Sequence, residues 1–252
     1  PVTVIIGLVL LMFDATAGFH HPLRFVLLLT NFGSVMTWGV VFLGAFTIVS
    51  LIVLIMDLLG KGLKIPVWLD VAGAVLGICV CVYTGCLLGV AKTFPLWNNA
   101  LLPVLFLVSA MSTGMAAVLL AGVFVAPDEF NAVVSLKKFH FWLPVVEIAL
   151  VMALLFITAA NPSQAGWDSV MTLISGEWAI AFWVLFVAIG LIIPIALECW
   201  MLWFAGHEME TSRTGQMISG FSDLGVLVGG FVLRLLIVSA ALPITIVQPW
   251  IF

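Results

Sequence analysis

The chain is 252 residues long, 64% apolar and 8% charged, with a formal net charge of −4 and a mean hydropathy of +1.34. A soluble domain carries about 25% charged residues, so a water-soluble enzyme is excluded. Eight basic residues against twelve acidic ones leave no basic patch for a nucleic acid.

What remains is an integral membrane protein. Its long unbroken apolar runs predict helices rather than the alternating strands of a barrel, at about 20 residues per span. We expect an all-α polytopic membrane helix bundle with seven spans, forming a single domain over residues 1–252. The first span, about 1–18, starts on Pro1 with no initiator Met, basic n-region or cleavage pattern, so it is not read as a signal peptide. Asp14 lies toward its end, and a loop with His20, His21, Pro22 and Arg24 follows. The second span, 35–59, stops at Gly60-Lys61-Gly62. The third, 67–91, carries Tyr83, the only tyrosine, and a stripe of Gly73, Gly77, Cys81, Gly85 and Gly89 at a spacing of four. Such a stripe lets a second helix approach closely. Tyr83 is two residues from Cys81, about 200° round the helix, and is expected to point away from the stripe. The loop Thr93-Phe94-Pro95 leads to the fourth span, 100–126, and Pro127-Asp128-Glu129 to the fifth, 140–160, with Glu147 about a third of the way in. After the loop at 161–176 comes the sixth, 177–205, with Glu198 near its end. The polar stretch from Gly206 to Asp223 then precedes the last span, 223–249, with Arg234 near its middle.

Charge bias orients the bundle. Lys61, Lys64, Lys137, Lys138 and Arg213 lie on the loops of one side, against Arg24 and Lys92 on the other. This five-to-two bias puts residue 1 on the cytoplasmic side and the C-terminus outside. Trp residues near the span ends form aromatic belts, and Trp97 is the one left open to another role. Cys79, Cys81, Cys86 and Cys199 have no CxxC spacing, so they read as small buried hydrophobes, with no zinc or iron–sulfur ligation in this chain. His20, His21, His140 and His207 all sit near span ends, which excludes a paired-histidine haem site and leaves His20 and His21 as interfacial residues or proton carriers. Ionisable groups inside hydrocarbon are expensive and default to function, which singles out Asp14, Glu147, Glu198 and Arg234. Two kinds of role stand open for them: a buried ion pair that fixes helix packing, or a functional one, as a proton-conducting chain or a contact near a bound headgroup.

Three segments are more specific: YTGCLLGVAKTFPLWNNALLPVLFLVSAMSTGMA from Tyr83, HPLRFVLLLTNFGSVMTWGV from His21, and DLGVLVGGFVLRLLIVSAA from Asp223. Together they resemble the signature loop, the Pro–x–Arg–Phe segment and the last helix of the NrfD/polysulfide-reductase membrane-subunit family, over about residues 10–245. The resemblance implies an eight-helix quinone-binding anchor with both termini outside, in the bacterial or archaeal cytoplasmic membrane. Seven spans starting inside become eight starting outside if a helix precedes residue 1, and we expect that it does. Tyr83 matches the family's quinone-contacting tyrosine. Lys92, Pro95, Trp97 and Asn98 match an outer loop set against an iron–sulfur partner, and Arg234 matches the last-helix arginine. The family's Gly–Gln pair at the end of that helix is here Ala240-Ala241-Leu242.

The function expected is exchange of electrons between membrane menaquinone or ubiquinone and a ferredoxin-like 4Fe–4S subunit, with a molybdopterin or other catalytic subunit beyond it. The candidate quinone-binding residues are Tyr83, Asp14, His21 and Trp97, beneath the Pro95–Asn99 loop. The candidate proton pathway is Glu147, Glu198 and Arg234, and the candidate partner interface is Lys92, Pro95 and Asn98. Two rivals are a secondary transporter and a purely structural anchor. The first calls for an inverted repeat and helices broken at mid-membrane, and the sequence has no self-similar halves.

Overall fold

A computed structural model describes residues 2–14, 31–59, 66–125, 134–204 and 213–244. Every regular element among them is helical: α1 Val2–Asp14, α2 Val35–Leu59, α3 Val67–Gly89, α4 Leu101–Val125, α5 Val134–Ala159, α6 Gln164–Ile174, a π-helical segment Ala181–Ile192 that continues as α7 Ile193–Trp203, and α8 Arg213–Ser239. Six of these helices are long and apolar enough to cross a membrane, and they correspond to the second through seventh predicted spans. Of the first predicted span, the described residues form α1, Val2–Asp14. The protein is therefore an integral membrane bundle. Large apolar side chains such as Leu58, Phe156 and Phe231 stay exposed on its helices, where lipid rather than water is the solvent.

The chain divides into two units, Pro1–Leu87 and Leu88–Phe252. In the first, a turn at 31–34 starts α2: Thr37 Oγ1 donates to the Asn31 carbonyl at 2.7 Å and Trp38 Nε1 to the Phe32 carbonyl at 3.1 Å. The glycine stripe of α3 does what its spacing promises at one end. Gly73 faces Val49 and Gly77 faces Phe46, both on α2. Tyr83, however, does not turn away from α2. Its ring lies against Gly39, where any Cβ would overlap it. The reason is angular: four residues turn about 400°, so a strict period of four drifts about 40° round the helix per repeat. Gly89, at the end of the stripe, stands instead against the Trp97 carbonyl, 3.7 Å from where its Cβ would be.

The second unit has the larger buried core. Leu96, Leu102, Leu105, Leu154, Phe186 and Leu236 are among its most enclosed side chains. Its central member is α8, which packs against α4, α7 and the π segment. Lipid supplies no hydrophobic force between helices, so close backbone approach must do the work. A Cβ on Gly190 would stand 2.5 Å from the Cα of Gly229, and one on Gly225 would stand 2.7 Å from the Ile189 carbonyl oxygen. That carbonyl is special. In the i→i+5 pairing of a π helix its donor would be residue 194, a proline, which has no N–H.

Two predicted edges shift. The last helix runs Arg213–Ser239 rather than 223–249, and residues 240–244 are not helical. The stretch RTGQMISGFSD is too polar to look like a span, yet Gly215, Gln216, Ser219, Gly220, Ser222 and Asp223 are all buried. They face protein, not lipid. The predicted loop at 161–176 contains α6, whose Gly166, Ser169, Val170 and Leu173 form a buried face at i, i+3, i+4 and i+7.

Candidate functional site: two polar clusters in the second unit

Near one end of α8, Arg234 lies five residues before the helix terminus at Ser239, not at mid-span as the predicted edges imply. Its Nη1 donates to the Gly230 carbonyl at 2.7 Å and approaches Ser109 Oγ of α4 at 3.5 Å. Its guanidinium sits 5.9 Å from the centroid of the Phe106 ring, within cation–π range. Glu147 of α5, 3% exposed, interacts with Ser109 and with the charge of Arg234. Three helices thus meet at one carboxylate, one hydroxyl and one guanidinium. Gly230 makes the room: a Cβ there would overlap Thr113 and crowd Arg234.

The second cluster lies on the same helices, toward the opposite end. His140 is seven residues before Glu147 on α5, and Asp223 is eleven before Arg234 on α8. Both spacings return to nearly the same helix face, about 10 and 16 Å along the axis. His140 Nδ1 is 2.8 Å from Glu198 Oε1, with the histidine fully enclosed and the Glu198 side chain 12% exposed. Ser222 Oγ, on α8, donates to the same Glu198 oxygen at 3.4 Å. Ligand atoms of His140, Glu198 and Asp223 all lie within 4.8 Å of one another. Ser112, one turn along α4 from Ser109, places its backbone against His140. Pro144, also enclosed, can give no N–H to the His140 carbonyl one turn earlier.

The group of Glu147, Glu198 and Arg234 expected from the sequence divides between these clusters. The structure brings Glu147 and Arg234 together and puts Glu198 with His140 and Asp223. Hydropathy leaves His140 at the interface and Asp223 at the end of a loop. The seven- and eleven-residue spacings to Glu147 and Arg234 are the signals that would recover them.

The remaining predicted residues are distributed between the units. Tyr83 belongs to the first, half-buried over Gly39. Asp14 is the last residue of α1, and His21 lies outside the described residues. Trp97 belongs to the second, and its indole N–H donates to the Ile237 carbonyl at 2.7 Å, so its single donor is engaged in closing the end of α8. Further bonds stitch the same end together: Leu242 N–H to Ser169 Oγ at 2.9 Å and Ile244 N–H to the Thr93 carbonyl at 2.8 Å. On the intervening loop Lys92 and Asn98 are exposed and Pro95 is buried.

Comparison with known proteins places this architecture. The chain is similar to the C subunit of the polysulfide reductase of Wolinella succinogenes, at 32% identity over 79% of this chain and 68% of that protein. It is similar to the protein NrfD of Escherichia coli, at 29% identity over 87% and 76%, and to an NrfD homolog of Haemophilus influenzae, at 27% over 95% and 78%. No solved structure matches it. The family described as polysulphide reductase, NrfD matches residues 1–246, nearly the whole bundle and both polar clusters with it, and the chain belongs to that family.

Proposed function

We propose that the chain is the quinone-binding membrane subunit of a respiratory oxidoreductase, passing electrons between the membrane quinone pool and an iron–sulfur partner, with proton movement through the second unit. The observation that carries this is the family match over residues 1–246, in a chain whose relatives include one named as a subunit of a polysulfide reductase. Such a relative's name implies further subunits that hold the catalytic chemistry. The membrane helices of this protein then anchor that assembly, in the bacterial or archaeal cytoplasmic membrane.

A quinone, when bound, carries two electrons and two protons. Tyr83 fits such a group: it is a half-buried phenol, held against a glycine, and a phenol donates a hydrogen bond to a carbonyl oxygen. Asp14 and His21 remain candidates by sequence for the same pocket. Trp97 fits a different task, because its N–H is committed to Ile237 and its ring packs on Phe94 with centroids 4.2 Å apart. It holds the loop that carries exposed Lys92 and Asn98, the side chains proposed to meet the partner. Glu147, buried in the bundle, is the group proposed to take up and release a proton, with the fixed charge of half-buried Arg234 beside it, linked through Ser109.

Lipid extraction of the purified complex tests the reading, with stoichiometric menaquinone or ubiquinone expected. Tyr83→Phe leaves assembly intact and slows quinone-linked turnover at least about 100-fold, the low end of what a positioned proton donor contributes. Absence of quinone together with unchanged kinetics in Tyr83→Phe would favour a structural anchor instead.

A further inference from the structure

A cleft of about 480 Å³ opens between α2 and α3 in the first unit, and none of the residues assigned a role above lines it. We propose that it binds one phospholipid with a primary ammonium headgroup, of the phosphatidylethanolamine class. Asp57 and Asp70 receive the ammonium, Ser50 donates to an ester carbonyl, and an acyl chain lies along Val49 and Val53.

The order of groups along the cleft is that of the lipid. Asp57 is two residues before the end of α2 and Asp70 three after the start of α3, so both carboxylates lie within one turn of the helix ends. Exposed Trp68 marks that level as the boundary between hydrocarbon and headgroups, where indoles gather. Ser50 and Val53 share the Asp57 face of α2 at helical spacing, which puts Ser50 about 10 Å deeper in the membrane. At the inner end Gly73 faces Val49: a Cβ on that glycine would stand 3.6 Å from Val49 Cγ1. From mouth to floor come two acids, a hydroxyl and an apolar wall. A phosphatidylethanolamine presents its ammonium, ester carbonyls and alkyl chains in the same order, with its phosphate left in the headgroup layer.

Unmet polar groups select the headgroup. Asp57, Asp70 and the Ser50 hydroxyl have no hydrogen bond or ion pair among the described residues. Thr47, one turn from Ser50, instead donates to the Leu43 carbonyl at 2.7 Å. A hydroxyl left unpaired against hydrocarbon is costly, and an ester carbonyl at its depth removes that cost. Carboxylates only accept, so the polar end of the occupant must be a cation that donates. A primary ammonium has three N–H groups. A quaternary ammonium has none and is recognised by aromatic faces, and no aromatic residue lines this cleft among the described residues. An anionic headgroup is repelled. A quinone offers only carbonyls, so this site is separate from the one proposed above. A lipid that touches both helices also supplies contact where the protein supplies little, since only 6% of the most apolar stretch of α2 or α3 is buried, and its binding stabilises the pair by mass action.

The test is native mass spectrometry of the intact, delipidated complex, titrated with phosphatidylethanolamine, phosphatidylcholine and phosphatidylglycerol of one chain length. Phosphatidylethanolamine is expected to bind at least about 10-fold tighter than either of the others, the low end for a charge-assisted hydrogen bond. Asp57→Asn combined with Asp70→Asn removes that preference, and Ser50→Ala weakens phosphatidylethanolamine binding about 2–10-fold. Glu177→Gln, an exposed acid of the second unit, leaves it unchanged. Should the variants fail to assemble, the unfolding midpoint of the wild-type complex is the independent measurement, expected to rise with phosphatidylethanolamine and not with the other two lipids. Equal affinity for the three lipids overturns the proposal, as does a preference for phosphatidylethanolamine that survives in the double variant. A preference for phosphatidylglycerol overturns it in favour of Lys61 and Lys64 on the joining loop. Loss of a partner subunit from the double variant, with lipid binding unchanged, overturns it in favour of a cationic segment of that subunit. No readout involves quinone or turnover, so failure here leaves the proposed electron-transfer role intact.

Discussion

The two units use membrane helices in opposite ways. In the first, only 6% of the most apolar stretch of either α2 or α3 is buried in protein; in the second, the corresponding share reaches 44% for α5 and 50% for α8. The helices of the first unit are no less apolar. What differs is polar content and glycine placement. Every fully enclosed ionisable side chain among the described residues, His140, Glu147 and Asp223, lies in the second unit. The acids of the first unit beyond α1, Asp57 and Asp70, line an open cleft near the helix ends. Apolarity puts a helix into the bilayer, but in lipid it cannot choose that helix's neighbours. Buried polar groups and glycine crossings make the choice.

The largest expected effect tests the polar half of that comparison. Arg234→Leu removes the cation beside Glu147 and leaves a carboxylate enclosed in a low-dielectric bundle, a loss of about 3–5 kcal/mol. Glu147→Leu combined with Arg234→Leu should recover most of it, because replacing both members of a buried pair by apolar groups is close to neutral. Unfolding of the purified protein in detergent, run as a double-mutant cycle, reads the coupling directly. Additive losses would mean that Glu147 and Arg234 are not coupled to each other in stability.

Next in size is the glycine crossing. Gly229→Ala puts a methyl where the Gly190 backbone already stands, at 2.5 Å, and backbone cannot swing aside as a side chain does. Separation of α8 from the π segment should cost about 1–3 kcal/mol, seen as a lowered unfolding midpoint. It should also loosen contacts that depend on the same crossing, including Ser222 with Glu198. A midpoint equal to wild type would show that the π segment yields easily.

How much of this is legible in the sequence follows from the same distinction. Hydropathy locates the second through sixth spans because lipid-facing surface is a property of each helix alone. It misses the true start of α8, since Gln216, Ser219 and Asp223 are polar residues that face protein. It leaves His140 at the interface for the same reason. Candidate membrane acids are recognisable one by one, but which acid meets which base depends on helix adjacency. So the sequence groups Glu198 with Glu147 and Arg234, whereas its hydrogen-bond partner is His140. The π segment carries little local signature beyond Gly190 and Pro194. Trp97 stands apart from the other tryptophans in the sequence, yet the carbonyl that its indole engages lies 140 residues away.

The smallest effect belongs to the first unit and sharpens the contrast with Gly229. Gly77→Ala also adds a methyl to a glycine facing another helix, but here the new Cβ meets Phe46 Cε2 at 3.5 Å, an ordinary van der Waals separation against a side chain. The added contact is worth a few tenths of a kcal/mol at most, and alanine restricts the unfolded chain more than glycine, a gain of about 0.4–1 kcal/mol where the backbone is compatible. The two terms have the same sign, so the unfolding midpoint should hold steady or rise slightly. A fall of more than about 1 kcal/mol would place the packing of α2 on α3 in the same tight class as Gly190 on Gly229. The first unit would then be held by close backbone contact after all, and its low burial would reflect only how few helices it contains.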